Sequence, residues 1–502
     1  MTASRMLMIQ GASSSVGKSL LVTALCRLYA RRGWRVAPFK AQNMSNNAAV
    51  CSGGEIGRAQ AVQAHAAGIE PTVDMNPILL KPEADQRSQI IVRGQVWRTL
   101  PAREYYRHKS ELWQTVTTSL DTLRAQYDLV IMEGAGSPAE LNLKRGDIVN
   151  MAVARYARAH VLLVGDIDRG GVFAQLLGTL LLLEPDERAL LKGFIVNKFR
   201  GDPALFADGV SILEERSGLP VLGVVPYLHN HHIADEDAVT LESSSPHPLP
   251  TTDHRVDIAV IRLPRISNFD DFDPLALEPG VRLRYVDNPE MLGQPQAIIL
   301  PGTKSTIADL AWLHECGLSA AISAHARRGA AVVGVCGGYQ MLGNVVRDPQ
   351  RVESDHEVME GLGLLPVETT FTGRKATYPS RARINSRAGF MGEIYGEMIG
   401  GYEIHTGQTF SPSPVIEVVE RGGEAVNMPD GAASDDGRVV GVYLHGLFDN
   451  DNFRQAWLRS LGATASGAHF RQSQQAAFER LADAVEASLD MKRLDVIIEA
   501  GA

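Results

Sequence analysis

The sequence predicts an α/β protein built from two doubly wound parallel-sheet domains, and three observations lead to this prediction. Short apolar runs alternate with amphipathic stretches through the first half, and the same alternation resumes after residue 254. Between them, residues 243–254 read SSSPHPLPTTDH, a Ser/Thr/Pro-rich stretch without periodicity. A chain of 502 residues is also long for one domain. We therefore expect domains at 1–242 and 255–502, joined by a linker at 243–254.

The expected strands are apolar runs bounded by Gly, Asp or Asn and separated by helical patterns, which is typical of buried parallel strands. In the first half they are RMLMIQ, RVAPFK, DLVIMEG, HVLLVGDI, KGFIVNKF and PVLGVVPY, and a helix is expected at Lys18 to Arg32. The run FAQLLGTLLLL predicts a buried helix that is too short to span a bilayer. In the second half the expected strands are VDIAVIRL, VRLRYVD, QAIILPG and AAVVGVCGG.

Composition and charge exclude several classes of function. The net charge is −9, which disfavours a general nucleic-acid binder. The N-terminus lacks a basic region followed by a long apolar core, so we expect no signal peptide and no membrane partner. The four cysteines are scattered without pairing or metal-ligand spacing, as is typical of the reducing cytoplasm.

A phosphate-binding loop is predicted where the first strand meets the first helix. Five residues separate Gly11 from Gly17-Lys18-Ser19, one more than in the usual pattern. Backbone N–H groups at such a helix start cradle phosphate, Lys18 reaches the β and γ oxygens of ATP, and Ser19 ligates Mg²⁺. We therefore assign ATP binding to Gly11, Gly17, Lys18 and Ser19; the alternative is a Ser/Gly turn that caps a helix.

Polar residues at other predicted strand ends extend this nucleotide site. Glu133 follows DLVIM, where a carboxylate can hold Mg²⁺ directly or through water. Asn197, in VNKF, can pair with a purine edge, although Asn also caps strand ends. Asp166 and Asp168 could position metal or substrate, or could equally cap a helix.

A loop rich in amides follows the second predicted strand. Lys40, Gln42, Asn43 and Asn46 crowd the stretch FKAQNMSNNA. Many amide groups together suit a substrate with several carboxyl and amide arms, although a polar loop alone is a common surface feature. We assign these four residues to substrate binding.

A nucleophile is predicted in the second half. Cys336 lies between an apolar strand and Gly337-Gly338, the arrangement of a nucleophile elbow. A helix N-terminus and a neighbouring imidazole favour the attacking thiolate. His445, after the strand VVGVYL, is the predicted base. Backbone N–H groups near Gly302 and Gly337 are predicted to form the oxyanion hole.

These motifs resemble two known families. The five-residue gap from Gly11 resembles the loop of dethiobiotin synthetase, and Ser13 stands where partitioning ATPases carry a second lysine. That difference argues against an ATP-driven switch or scaffold protein. The Cys336 and His445 motifs resemble class I glutamine amidotransferases. Leu447 occupies the position of that family's glutamate, so we expect weaker orientation of His445 and slower glutaminase turnover.

A dethiobiotin-synthetase-like domain followed by a glutaminase domain is the layout of the cobyrinic acid amidases. The segments KAQNMSNNA, EIGRAQ, GDIDRGGVFA, VNKFRGD, GYEIHTG and YLHGLFDN resemble those of the cobyric acid synthases. The resemblance implies ATP- and L-glutamine-dependent amidation of four carboxylates of adenosylcobyrinic acid a,c-diamide. It also makes Glu403, in GYEIHTG, a candidate for substrate contact. An a,c-diamide synthase, with the same chemistry on other carboxylates, is the nearest alternative.

Overall fold

The structure is a computed structural model, and it describes residues 4–84, 87–229, 231–234, 256–354, 356–464, 467 and 469–500. Its chain divides into two compact units. Unit 1 comprises Met1–Ser45, Glu55–Glu236 and Gln474–Ala502, and unit 2 comprises Asn46–Gly54 and Asp237–Ser473. The predicted linker at 243–254 lies outside the described residues.

Unit 1 is built on a six-stranded parallel sheet, as predicted. In sheet order its strands are Val221–Pro226, Leu191–Phe199, His160–Asp166, Arg5–Gly11, Leu129–Glu133 and Val36–Phe39. Helices connect and cover them: Lys18–Arg31, Arg58–Ala66, Ala102–Tyr105, Lys109–Gln126, Met151–Ala157, Val172–Leu182, Pro185–Arg188, Ala207–Ser217, Phe470–Ser488 and Met491–Glu499. Because all strands run parallel, the functional residues at their carboxyl ends share one edge of the sheet.

Two smaller sheets in the first half were not predicted from the sequence. One contains the strands Gln42–Met44, Ile78–Ala84, Arg87–Val92 and Gln95–Pro101. The other pairs Ala48–Cys51 with Gly54–Gly57. The strand Gln42–Met44 lies in the amide-rich loop and Ala48–Cys51 begins at its end. The polar residues of this loop gave no period-2 apolar pattern that would indicate strands.

The leucine-rich helix Val172–Leu182 is present but is only partly buried. Leu176 is fully buried, whereas Leu181 and Leu182 are 69% and 44% exposed. The prediction of a buried helix is therefore wrong for its C-terminal end. Within the described residues, no helix has the length and apolar character needed to cross a membrane.

Unit 2 contains the second predicted sheet. In sheet order its strands are Val281–Val286, Val256–Ile261, Ala297–Leu300, Ala331–Val335, Val439–Val442 and the short antiparallel Ala432–Ala433. The helices are Asp273–Ala276, Thr306–Glu315, Leu318–Arg327, Gly337–Leu342 and Asp451–Ser460. The five parallel strands confirm the α/β prediction for this half.

A second sheet in unit 2 carries the GYEIHTG motif. Its long strand Glu368–Ile384 pairs with Met398–Phe410 and Ile416–Arg421. The sheet is completed by Val345–Arg347, Val358–Glu360 and Glu424–Asp430. This sheet matters for function because it brings residues 402–405 to the end of the parallel sheet, beside Cys336 and His445.

The C-terminal residues belong to unit 1, which differs from the predicted boundaries. Phe478, Leu481 and Val485 are buried in one apolar cluster with Leu21 and Leu25 of the first helix. Arginines 27, 31 and 32 also pair with acidic residues of these C-terminal helices, but mostly at half-exposed positions where ion pairs contribute little. Apolar burial therefore joins residues 474–500 to unit 1.

We expect Phe478→Ala to lower the unfolding free energy of unit 1 by about 3–5 kcal/mol, because the ring is 1% exposed and its removal leaves a cavity. Thermal unfolding followed by circular dichroism measures the change. Val496→Ala is the matched control, since Val496 is 65% exposed on the following helix and its loss should cost less than about 0.5 kcal/mol. Equal effects of the two variants would contradict the assignment.

Candidate active site

The phosphate-loop segment of unit 1 has a conformation that requires its two glycines. Gly17 has φ +94°, and a Cβ there would lie 2.3 Å from Asn197 Nδ2. A Cβ on Gly11 would lie 2.8 Å from Ser13 O. Lys18 Nζ folds over the loop and lies 3.5 Å from Ser13 O and 3.4 Å from Gly136 O. Neither glycine position therefore has room for a side chain.

Glu133 is the centre of a buried polar cluster behind this loop. Its Oε1 accepts hydrogen bonds from Ser19 Oγ at 2.9 Å and Lys40 Nζ at 2.8 Å. Its Oε2 accepts from Gln63 Nε2 at 2.7 Å. Glu133 is 1% exposed and Lys40 is 4% exposed, so their charges are compensated by each other. The cluster brings together Ser19, Glu133 and Lys40, which the sequence analysis had placed in two separate sites.

Two residues of VNKF, in the strand Leu191–Phe199, form hydrogen bonds to the phosphate loop. Asn197 Nδ2 donates to Val16 O at 2.7 Å. Lys198 Nζ donates to Ser15 O at 2.6 Å and to Asp166 Oδ2 at 3.0 Å. Asn197 therefore holds the loop through its amide nitrogen, and its predicted purine contact stays a prediction. Lys198 was not predicted from the sequence, although its position next to Asn197 at a strand end could have indicated it.

The amide-rich loop is divided between the two units. In unit 1, Tyr105 Oη donates to Gln42 Oε1, and Asn43 Nδ2 donates to Gln60 Oε1 at 3.0 Å. Asn46 belongs to unit 2. Two buried amide atoms near Asn43 and Glu133, Gln60 Nε2 and Gln63 Oε1, make no hydrogen bond to the described residues. Buried amides of this kind are normally satisfied, so these atoms suit a polar ligand.

Cys336 lies in a tight turn between strand and helix. It has φ 52°, an unusual value for a residue with a side chain. A Cβ on Gly338 would lie 1.9 Å from Leu300 O, so this position admits only glycine. Cys336 is 7% exposed, and its Sγ lies 3.6 Å from Ile404 O. The turn places the thiol at the start of the helix Gly337–Leu342, as the elbow motif predicts.

His445 is held by a carboxylate that the sequence analysis did not find. Its Nδ1 lies 2.6 Å from Asp271 Oδ2, and Gly446 N donates to Asp271 Oδ1 at 3.0 Å. The Tyr402 ring stacks on the imidazole with a centroid separation of 5.1 Å. The predicted weak orientation of His445 is therefore wrong. Leu447, which replaces the expected glutamate, is 1% exposed and packs in the hydrophobic core.

The electrostatics of this group favour a charged imidazole. Burial lowers the pKa of His445, but the negative charge of Asp271 and the interaction with Cys336 more than offset it and raise the pKa to about 10. The two predicted oxyanion glycines lie nearby. A Cβ on Gly302 would be 2.9 Å from His445 Cε1, and one on Gly337 would be 3.2 Å from Thr303 N. Cys336, His445 and Asp271 thus have the arrangement of a nucleophile, a base and an orienting acid.

Comparison with known proteins follows the same division of the chain. A CobQ/CobB/MinD/ParA nucleotide binding domain matches residues 7–241, and a CobB/CobQ-like glutamine amidotransferase domain matches residues 257–453. The chain is 59% identical over 459 residues to a cobyric acid synthase of Chloroflexus aggregans, with 91% of each chain covered. It is 57% identical to that of Chloroflexus aurantiacus, with 97% of this chain and 98% of the relative covered, and 56% identical to that of Roseiflexus castenholzii, with 99% of each covered.

The chain belongs to the cobyric acid synthase family. As a cobyric acid synthase family member, it carries a nucleotide-binding half and a glutamine amidotransferase half, which confirms the resemblance found in the motifs. The glutamate that class I glutaminases place after the histidine is replaced here by Asp271, in the 3-10 helix Phe269–Phe272. The acidic run NFDDFD, following the strand Val256–Ile261, was the signal that could have identified it.

The GYEIHTG motif lies against the glutaminase residues in this family member. Glu403 is 2% exposed, and its carboxylate accepts hydrogen bonds from Arg421 Nε at 2.9 Å and Ser380 Oγ at 2.7 Å. Burial raises the pKa of Glu403, but the neighbouring His405 and hydrogen bonds from Arg421 and Ser380 outweigh it and lower the pKa to about 2. Glu403 is thus an anchored carboxylate within unit 2, and its predicted substrate contact stays a prediction.

We expect Asp271→Asn to lower kcat/KM for glutamine hydrolysis by about 10²- to 10⁴-fold, since an amide neither stabilises the imidazolium nor enforces the correct tautomer. Loss of the negative charge lowers the pKa of His445. The alkaline limb of the pH profile should therefore move to lower pH, because the imidazolium is lost earlier as pH rises. Glutamate release measured across pH tests this. The exposed Asp436→Asn is the control, and a profile for Asp271→Asn like the wild type would contradict the assignment.

Proposed function

We propose that this chain catalyses the ATP- and glutamine-dependent amidation of four peripheral carboxylates (b, d, e and g) of adenosylcobyrinic acid a,c-diamide to give adenosylcobyric acid. One observation carries the proposal: a single chain holds a Cys336–His445–Asp271 group in unit 2 and a Ser19–Glu133 cluster beside a phosphate loop in unit 1. The first releases ammonia and the second activates a carboxylate. The names of the relatives support the choice of acceptor.

Glutamine hydrolysis proceeds on Cys336. The thiolate attacks the carboxamide carbon of glutamine, and the tetrahedral oxyanion is stabilised by backbone N–H groups near Gly302 and Gly337. His445 donates its proton to the leaving nitrogen, so that ammonia departs and a thioester remains. His445 then accepts a proton from water as the thioester is hydrolysed to glutamate. Asp271 keeps the imidazole in the required tautomer throughout.

Carboxylate activation takes place at the phosphate loop. Lys18 and the loop N–H groups bind the phosphates of ATP, and the acceptor carboxylate attacks the γ-phosphorus to form an acyl phosphate and ADP. Lys40 pairs with Glu133, and its predicted contact with the acceptor carboxylate stays a prediction. Ammonia then attacks the acyl carbon and phosphate leaves, which gives the amide. Four rounds of this sequence complete the reaction.

The residues at the loop fit a magnesium ion. Ser19 Oγ and Glu133 Oε1 lie 2.9 Å apart, a hydroxyl and a carboxylate of the type that Mg²⁺ prefers. Two protein ligands suffice because Mg²⁺ keeps waters and phosphate oxygens in its remaining positions. When bound, the ion would offset phosphate charge during phosphoryl transfer. Ser19 and Glu133 would hold it, and Lys40 and Gln63 would keep Glu133 in place.

The amide-rich loop supplies the acceptor site. Gln42 and Asn43 lie in the same unit as Lys40, and the free amide atoms Gln60 Nε2 and Gln63 Oε1 can pair with carboxyl or amide arms of the corrinoid. Cys26, Cys316 and Cys336 are free thiols, and we propose a cytoplasmic location on this basis.

Purified protein incubated with the a,c-diamide, ATP, Mg²⁺ and glutamine tests the proposal, with product masses followed in time. Four successive amidations of the a,c-diamide are expected. No reaction with that substrate, but conversion of cobyrinic acid to the a,c-diamide, would favour the alternative a,c-diamide synthase. ATP hydrolysis without any amidation would favour the switch or scaffold class.

A further inference from the structure

The segment Asn46–Gly54 belongs to unit 2, although it begins within the amide-rich loop of the N-terminal half. Its strand Ala48–Cys51 packs against the strands Glu368–Ile384 and Met398–Phe410. Ala48 is fully buried and Asn47 is 2% exposed. The segment is therefore part of the packed interior of unit 2.

Asn268 is the residue through which this segment is bound. Its backbone N–H donates to Asn47 Oδ1 at 2.8 Å, and its side-chain Nδ2 donates to Ala48 O at 2.6 Å. Asn268 is 1% exposed and has φ 53°, a left-handed conformation that Asn tolerates better than most residues. Two buried hydrogen bonds thus join one asparagine to two consecutive residues of the segment.

Asn268 is connected to His445 through two of the histidine's partners, Tyr402 and Asp271. Its Nδ2 also donates to Tyr402 Oη at 2.6 Å, and the Tyr402 ring stacks on the imidazole at an interplanar angle of 9°. Backbone hydrogen bonds join Tyr402 and His445 in both directions, at 3.2 and 2.9 Å. Asn268 also immediately precedes the 3-10 helix Phe269–Phe272, which carries Asp271. The ring partner and the carboxylate partner of His445 therefore both depend on Asn268.

We infer that Asn47 and Ala48 position the catalytic histidine through Asn268, so that the glutaminase centre is complete only with this segment from the N-terminal half. The inference rests on the roles proposed for Cys336 and His445. Asn43 precedes the segment by three residues and Gln60 follows it by six, and both are proposed for the acceptor site. Through these short connections we expect acceptor binding to act on Asn47, so that glutamine hydrolysis depends on acceptor occupancy.

Glutamate release from glutamine, measured with and without ATP and the a,c-diamide, tests this inference. Asn268→Asp keeps the shape and the tolerance for positive φ but replaces the donor, and Asn47→Ala removes the acceptor. Each is expected to lower kcat/KM about ten- to hundredfold, because buried partners are left without a hydrogen bond. Each should also abolish the stimulation by ATP and acceptor and move the pH profile. Ammonia-dependent amidation should be unchanged.

One variant provides the matched control for Asn268→Asp. Asn385→Asp makes the same chemical change at an exposed position of unit 2 and should have no effect. Wild-type glutaminase rates and stimulation in Asn268→Asp and Asn47→Ala would overturn the inference, as would a parallel loss of ammonia-dependent amidation, which indicates a purely structural role. If Cys336→Ala retains glutaminase activity, the proposed function itself fails.

Discussion

Cys336→Ala is expected to abolish glutamine-dependent amidation, by at least about 10³-fold, and to leave ammonia-dependent amidation intact. In the proposed reaction the thiol is the attacking group, so without it no thioester forms and no ammonia is released. Activation of the acceptor is proposed to take place at the phosphate-loop cluster in unit 1, which the substitution does not touch. Amide formation from glutamine and from ammonium chloride, compared in one assay, measures the difference.

Cys316→Ala is the matched control for this experiment. Cys316 is a free, half-buried thiol in the same unit, whose Sγ lies 3.7 Å from the backbone oxygen of Leu313. Its substitution should leave both nitrogen sources effective. Loss of both activities in a folded Cys336→Ala protein would contradict the separation of glutamine hydrolysis and carboxylate activation into two sites.

Lys18→Ala is expected to give the opposite pattern, with amidation from either nitrogen source reduced by about 10²- to 10³-fold. The Nζ group lies over the loop, where it would stabilise the charge that develops on the transferred phosphoryl group. Glutamine hydrolysis without ATP should remain at its unstimulated rate, because Lys18 belongs to unit 1 and the Cys336–His445–Asp271 group belongs to unit 2. ADP and glutamate release, followed separately, measure the two half-reactions.

The exposed Lys492→Ala, which removes the same charge from the C-terminal helix, controls for the loss of a cation in unit 1. It should leave ADP release unchanged. Retention of full ADP release and amidation by Lys18→Ala would show that the segment is a helix-capping turn and not a nucleotide site.

Local sequence patterns were sufficient to predict the parallel sheets, the phosphate-loop motif and the cysteine elbow. Apolar runs of β-branched residues appear as buried strands because each side chain meets a helix on its face of the sheet. Gly17 and Gly338 could be recognised because their conformation or crowding excludes a side chain. The phosphate loop and the cysteine elbow are contiguous in sequence, so their geometry is a short-range property.

Contacts between residues far apart in sequence could not be predicted from such local patterns. His445 and Asp271 are 174 residues apart, and no spacing rule links them. The mixed sheet that carries Tyr402 and Glu403 gave no clear alternation of apolar and polar residues, since its strands include many charged and polar residues. The exposed end of the helix Val172–Leu182 shows a second limit of sequence patterns: an apolar run does not by itself determine that every residue in it is buried.

The sequence by itself determined the α/β class and the family, and it predicted the nucleotide loop with Lys18 and Ser19 and the nucleophile Cys336, because each depends on neighbours within a few residues. Only the tertiary structure decided that Asp271 orients His445, that Glu133 joins Ser19 to Lys40, and that residues 46–54 and 474–500 each pack in the unit opposite to the one predicted. The reason is that buried polar groups need hydrogen-bond partners and apolar groups need burial, and both needs are met here by segments that are far apart in sequence. Contacts of this kind leave no regular spacing along the chain from which they could be predicted.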